Sequence, residues 1–508
     1  MELSLEESLN GYQAAIDLIP HVVWLGTTIV HRYQNLQELR NLAAEAASTA
    51  IVARDYRRAL EWLEQGRSIV MNQNLMLRSP LDDLYSADPS LAEHLKKVTA
   101  ELHATASRSQ DSHSTDRGEP VLSPEKIALR HRQLAKEYAD LLSRARQIPG
   151  FEDFLKPARG TELISAARTG PVIIINVYEP RDRCDALILQ PGRTEVAHIE
   201  LPAFNSRTAA DIRTRFGSSL SRGDLTALER GVHKLPVQGQ TYNIESLLAV
   251  LWNDIAKPVL DFLGYKPTTC LEELPHVTWC TTGILSSLPL HAAGIYGAST
   301  NCVSDYVVSS YAPTLTALMS SAPFSAATSI LAVSQEVTPG GHSNLPGTVQ
   351  ELAYIQAHTK EKMSYTQLTN GEASMEAVLD AMERQDCVHL ACHAHQSVND
   401  PTKSGFFLHD GTLDLVSIMG RSFKNKGLAF LSACQTAMGD QTLPDETVHL
   451  ASSMLTAGYP SVIATMWSVR DKDAPFVADK VYGRLLKDGK MDYRESARAL
   501  HFAITELR

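Results

Sequence analysis

The sequence predicts a helical N-terminal region followed by an α/β region, in which a mostly parallel sheet is covered by helices. Up to about residue 105 the apolar residues recur at helical spacing, as at Leu42, Ala46 and Ala50. From about residue 170 the texture changes to short, continuous apolar runs bounded by turns. Continuous runs, unlike alternating ones, suit strands buried on both faces, which is how parallel sheets are built.

The runs fall at 172–177, 186–189, 277–281, 306–310, 330–333, 388–392, 428–432 and 461–466. Several are separated by stretches long enough for helices, and 349–357, 375–384, 446–457 and 474–486 are the expected covering helices. Residues 107–120 (SRSQDSHSTDRGEP) hold no aromatic or aliphatic side chain and cannot bury enough surface to order themselves. Helix resumes over 123–148, with Ser123 as N-cap and Pro124 at the first helical position, and ends at Pro149-Gly150. Four regions follow: helices over 1–105, a polar linker over 106–122, a connecting helix with an accessory α/β segment over 123–240, and the main α/β domain over 241–508. The chain stops inside a helical pattern at Arg508, which reads as a naturally short or a truncated end.

Composition narrows the function. With 508 residues, 44% hydrophobic and 21% charged, the chain can bury a large core. A net charge of −11 argues against a nucleic-acid binder, which needs a basic face. The N-terminus, MELSLEESLNG, lacks the positive segment of an export signal, and the apolar run 19–30 is too short to span a bilayer. Seven cysteines without a tight framework read as free thiols in a reducing, cytoplasmic setting. No Walker A, GxGxxG, GxSxG or HExxH pattern appears, and no cofactor is expected.

Two segments carry chemistry. Residues 386–395 read DCVHLACHAH and residues 427–437 read GLAFLSACQTA, each an apolar strand running into polar residues at its C-terminal end. Ligands meet parallel sheets at that end. On neighbouring strands, His393 and Cys434 would emerge together, the pairing that turns a thiol into a nucleophile. His389 shares the strand face of His393 but lies deeper, as a core histidine would. Cys387, His389, Cys392, His393 and His395 have the residue types of a zinc cluster, but alternation puts Cys392 on the opposite face and no Cys-x-x-Cys exists, so no metal is expected.

HLACHA (389–394) and LSACQTA (431–437) resemble the His and Cys motifs of the CHAT family, relatives of caspases and separases among cysteine proteases. LSSLPLHAAG (285–294), LPGTVQE (345–351), GTLDL (411–415) and AGYPSVIATMWSVRD (457–471) match the family in order. The stretch 55–67 (DYRRALEWLEQGR) resembles a degenerate tetratricopeptide unit of the kind that precedes such domains, fungal members most, without a second copy at a 34-residue period. A plain helical bundle fits those residues equally well.

The resemblance implies a caspase-like fold and a cysteine endopeptidase. Cys434 would be nucleophile, His393 acid and base, and the amides of Ala394 and Cys434 the oxyanion hole. A protein substrate, and a protein activator acting through the N-terminal helices, are the implied partners. Ala394 and Ala437 replace the family's usual glycines, losing access to positive φ. Trp467 is a candidate cleft residue, and Asp445, Glu446, Asp471 and Asp473 are candidates for a pocket favouring Arg or Lys before the cut. A non-catalytic signalling scaffold and a thiol-based acyl transferase are the alternative readings.

Overall fold

The computed structural model describes residues 4–39, 41–108, 124–178, 182–220, 243–297, 301–319, 326–397, 403–421, 423–434, 436, 446 and 449–508. The chain divides into two compact units, Met1–Gly160 and Thr161–Arg508.

The first unit is helical: α1 (Leu5–Val22), α2 (Ile29–Leu36), α3 (Leu42–Val52), α4 (Tyr56–Gln65), α5 (Ile69–Leu77), α6 (Asp82–Ala87), α7 (Pro89–Arg108) and α8 (Pro124–Ala145). A capping box starts α1. The Glu7 amide donates to Ser4 Oγ and the Ser4 amide donates to the Glu7 carboxylate. Small residues let α3 pack closely on α4, and α3 is buried on nearly every face, from Ala43 to Ile51, beyond the single stripe its spacing implied. Leu91, Leu95, Val98 and Leu102 of α7 meet Leu134, Tyr138 and Leu141 of α8 in one core. The helices after α4 in this unit are 9, 6, 20 and 22 residues long, so no second pair of α3–α4 dimensions follows among the described residues. Of the polar stretch 107–120, all but its first two residues lies outside the described residues.

The second unit opens with a short helix, α9 (Gly160–Leu163), then β1 (Val172–Tyr178), β2 (Arg183–Leu189), β3 (Ala197–Glu200), α10 (Ser206–Leu220), α11 (Ile244–Leu251), α12 (Lys257–Leu263), β4 (His276–Thr281), β5 (Gly294–Ile295), β6 (Asn301–Cys302), β7 (Val308–Tyr311) and α13 (Leu315–Met319). It continues with β8 (Ser329–Ser334), α14 (Gly347–Thr359), β9 (Ser364–Thr369), α15 (Met375–Arg384), β10 (Cys387–Ala391), β11 (Ala394–His395), β12 (Gly405–Phe407), β13 (Thr412–Asp414), α16 (Leu415–Met419), β14 (Leu428–Ser432), α17 (Leu450–Ala457), β15 (Ser461–Ile463), α18 (Ala474–Leu485) and α19 (Ser496–Leu507).

The apolar runs divide between two five-stranded sheets. The first has order β3-β2-β1-β4-β7 and is mixed: β1 and β2 form an antiparallel hairpin, while β1, β4 and β7 run parallel. Its core sets Ile173, Ile175, Val277 and Trp279 against Leu248, Trp252 and Val259 of the α11–α12 segment. The second has order β15-β14-β10-β8-β9 and is parallel throughout. Ile330, Leu428 and Phe430 pack against Tyr482 and Leu485 of α18 and Ala499 and Ala503 of α19. Helix α19 touches both β7 and β15, an edge strand of each sheet. No described helix is long and apolar enough to cross a membrane.

Gly458 ends α17 at φ 120°, and an added Cβ would meet the Phe423 carbonyl oxygen at 2.3 Å. Gly458→Ala should cost roughly 1–3 kcal/mol or more of stability. Gly217→Ala, in open space on α10, should leave stability unchanged or raise it. Urea denaturation of both variants checks the contrast.

Candidate functional site

The site begins with one pair of strands. β10 and β14 are adjacent and parallel, with Val388 opposite Ala429 and Ala391 opposite Ser432. His393 and Cys434 each lie two residues beyond that last pair, so one register carries both past the C-terminal edge of the sheet. A five-residue apolar strand leads to each, and every residue of both strands is buried.

His393 is only 1% exposed. Its Nε2 lies 2.8 Å from the Ser343 carbonyl oxygen. A carbonyl can only accept, so Nε2 carries the hydrogen and donates it. In the neutral ring, Nδ1 is then the nitrogen able to take a proton. Ser343 belongs to the loop between β8 and α14, which Gly340 and Gly341 turn at φ 95° and 85°. On the same loop, the His342 ring sits 5.2 Å from His393 and 4.4 Å from Phe407.

Cys434 is fully buried. The Val469 amide donates to its Sγ at 3.1 Å, and the thiol lies 3.7 Å from the Val469 carbonyl oxygen. The segment holding Val469 is tied down at Thr465, whose hydroxyl donates to the Ala433 carbonyl at 2.6 Å and whose amide donates to Thr436 Oγ at 2.9 Å.

Ala394 opens β11 and faces Phe406 of β12. The Phe407 amide donates to the His393 carbonyl, so Ala394 and Phe406 form a non-hydrogen-bonded pair and the Ala394 N–H points away from β12. Ala394 is extended, so alanine sits there without the strain of positive φ. Gln435 and Ala437 lie outside the described residues.

The other histidines separate by depth. His389 is fully buried, with Nε2 3.0 Å from Glu351 Oε1 and Nδ1 3.2 Å from the Tyr482 hydroxyl. His395 lies on β11, half-buried, and stacks on Phe407 at 4.9 Å. Burial, and then the nearby His342, hold its proton affinity below the ordinary imidazole range.

The remaining candidates scatter. Trp467 is half-buried, stacked on His291 at 6.1 Å and edge-on to Phe216 at 5.6 Å. Asp471 is buried, and its carboxylate accepts the Gly347 amide at 2.7 Å, capping the start of α14. Asp473 is the residue before α18. Glu446 is 4% exposed, and Asp445 lies outside the described residues. Ser343, Thr465 and Val469 were not singled out by sequence. Thr465 and Val469 fall within the 457–471 match, whereas the paired glycines 340–341 were the only sign of the Ser343 loop. Among the described residues, no group of three or more His, Cys, Asp or Glu is placed to hold a metal ion.

The second sheet, its helices and the preceding helical region make this a caspase-like α/β fold behind an all-helical unit. The CHAT domain family model matches residues 245–508, more than half the chain, and the chain belongs to that family. No curated protein matches it significantly. Among solved structures, separase of Saccharomyces cerevisiae, crystallised with securin, superposes with a TM-score of 0.51 at 10% identity, over 99% of this chain and 36% of that one. The chain thus spans about a third of the separase chain it matches. A second crystal structure of that complex gives a TM-score of 0.40 at 12% identity, covering 98% and 43% of the two chains. The complex of RgpB pro- and mature domains of Porphyromonas gingivalis gives 0.33 at 10%, covering 59% and 72%. The latter two lie below the similarity that establishes a shared fold.

His389 and Glu351 are a fully buried pair. His389→Ala removes the imidazole beside a buried carboxylate, which typically costs about 3–5 kcal/mol. His395→Ala should cost far less. Urea unfolding of the two variants, read by circular dichroism, distinguishes them.

Proposed function

We propose that this protein is a cysteine endopeptidase, with Cys434 as nucleophile and His393 as acid and base, regulated through its helical N-terminal unit. The observation that carries the reading is the shared register of β10 and β14, which ends in His393 on one strand and Cys434 on the next. Such a dyad needs two side chains held together by rigid elements.

The chemistry follows from the contacts. The Ser343 carbonyl holds the Nε2 hydrogen of His393, leaving Nδ1 to accept the Cys434 proton. The thiolate attacks the scissile carbonyl, a C–S bond forms, and negative charge moves to the carbonyl oxygen. The Ala394 and Cys434 amides hold that oxyanion. As the C–N bond breaks, imidazolium protonates the leaving amine. Water, deprotonated by His393, then hydrolyses the thioester and restores the thiol.

The proposed substrate is a protein, the proposed regulator a protein partner of the N-terminal helices, and the proposed setting the cytosol, where all seven free thiols stay reduced. For specificity we favour a basic residue before the cut, met by one of Asp445, Glu446, Asp471 and Asp473, the acids that follow Cys434 or Trp467 in sequence. Trp467 is the proposed wall of the cleft.

One observation favours the scaffold alternative. Cys434 is 0% and His393 1% exposed, so a substrate reaches neither without movement of the Thr465–Val469 segment or the Ser343 loop.

Cys434→Ala and His393→Ala should each abolish cleavage by several orders of magnitude, and the double variant should be no worse, because the two act as a unit. Full cellular function of the Cys434→Ala protein would establish the scaffold reading instead. A peptide library should show Arg or Lys before the cut, and a preference there for small apolar or acidic residues overturns the acidic-pocket assignment.

A further inference from the structure

The second sheet ends at β9, which pairs only with β8 among the named strands. The Ser364 amide donates to the Thr328 carbonyl, which fixes the ladder: residues 364, 366 and 368 turn their backbone groups toward β8, and 365, 367 and 369 turn theirs outward. The Thr369 amide is used locally, donating to the Glu372 carboxylate at 3.3 Å. Tyr365 and Gln367 therefore present the open edge.

Among the described residues, this edge carries none of the usual protection. Its sequence, SYTQLT, carries no proline and no charge, and its residues are exposed or half-buried. Proteins ordinarily blunt such an edge with lysine, proline, a bulge or a covering element. The charges sit at its ends instead. Lys360 and Lys362 precede the strand, with Glu361 between them, and Glu372 follows it. One end is net positive and the other negative.

We propose that β9 is a self-association edge, on which a second copy of this chain pairs antiparallel about a two-fold axis at Thr366, joining two sheets into one. Only this register lets Tyr365 of one copy exchange both backbone bonds with Gln367 of the other, and the reverse, so that both outward residues of each copy are satisfied. Centring on Tyr365 or Gln367 would oppose an outward residue to Met363 or to Thr369, whose amide is already engaged. The antiparallel arrangement also brings the lysine end of each strand to the Glu372 end of its partner. A two-fold axis makes the contact self-complementary and closed, so association stops at the dimer.

Light scattering behind gel filtration, with the full chain at roughly 1 to 100 μM, the range suited to a small interface, should show the mass double. Gln367→Pro removes an outward N–H without touching the β8 ladder and should give a folded monomer. Gln367→Ala keeps the backbone and should still dimerise. Should Gln367→Pro fail to fold, hydrogen exchange of the native chain decides: the Tyr365 and Gln367 amides should become protected as concentration rises. A chain that stays monomeric across the range, a folded Gln367→Pro dimer, or amides whose exchange ignores concentration each overturns the proposal.

Discussion

Everything at the candidate site rests on the register between β10 and β14. Four paired positions fix it, Val388 with Ala429 through Ala391 with Ser432. Side chains alternate along a strand, so a slip of one residue would send His393 or Cys434 to the opposite face. The register is pinned because both strands are buried along their whole length. Cys387 at the start of β10 adds a further tie, its sulfur accepting the Leu428 amide at 3.3 Å.

Beneath the edge, polarity and packing have been separated. His389, four residues and thus two strand periods before His393, engages its ring with Glu351 of α14 and Tyr482 of α18. A buried ion-forming pair is weak evidence for stability but tolerates few geometries, so it fixes α14 and α18 to the centre of the sheet. α14 begins directly after the loop bearing Ser343, and Asp471, just past Val469, caps its first turn through Gly347. An added Cβ at Gly347 would meet the Asp471 carbonyl oxygen at 2.3 Å, which explains the glycine. The loop over His393 and the segment over Cys434 are thus joined at one helix terminus.

Much of this was legible because burial leaves a direct trace in sequence. The strand 428–432 and the helix 375–384 were read to the residue, since an unbroken apolar run and a Ser374 cap define them locally. The partition into two sheets was not legible, because strand order is a tertiary property and every apolar run looks alike. β9 was missed for the opposite reason: as a polar edge strand it lacks an apolar run. β15 ends at Ile463 instead of 466 because Thr465 leaves the ladder to bond Ala433 and Thr436. The covering helix begins at Leu450, after a His449 cap, rather than at 446. Ser343 could not be found by residue type at all, since its contribution is a backbone carbonyl.

The closed state of the site has an energetic scale. The Thr465–Val469 segment is held by two hydrogen bonds from Thr465 and one from Val469, by the stack of Trp467 on His291 and by its edge-on contact with Phe216. At about 0.5–1.5 kcal/mol net for each bond, and a similar amount for each aromatic contact, these five contacts together hold the segment by roughly 2–8 kcal/mol. A form without them would be populated at no more than about one part in thirty, since each 1.4 kcal/mol is a factor of ten. A penalty of this size is too small to require unfolding of the sheet and large enough to keep the Cys434 thiol covered most of the time. A partner that binds only the open form need supply no more than that difference. His291 is itself held by Tyr311 at the end of β7, so the stack ties the covering segment to the first sheet rather than the second. The first sheet is therefore joined to the surroundings of Cys434 at two places, through the Trp467–His291–Tyr311 contacts and through α19, which touches both β7 and β15.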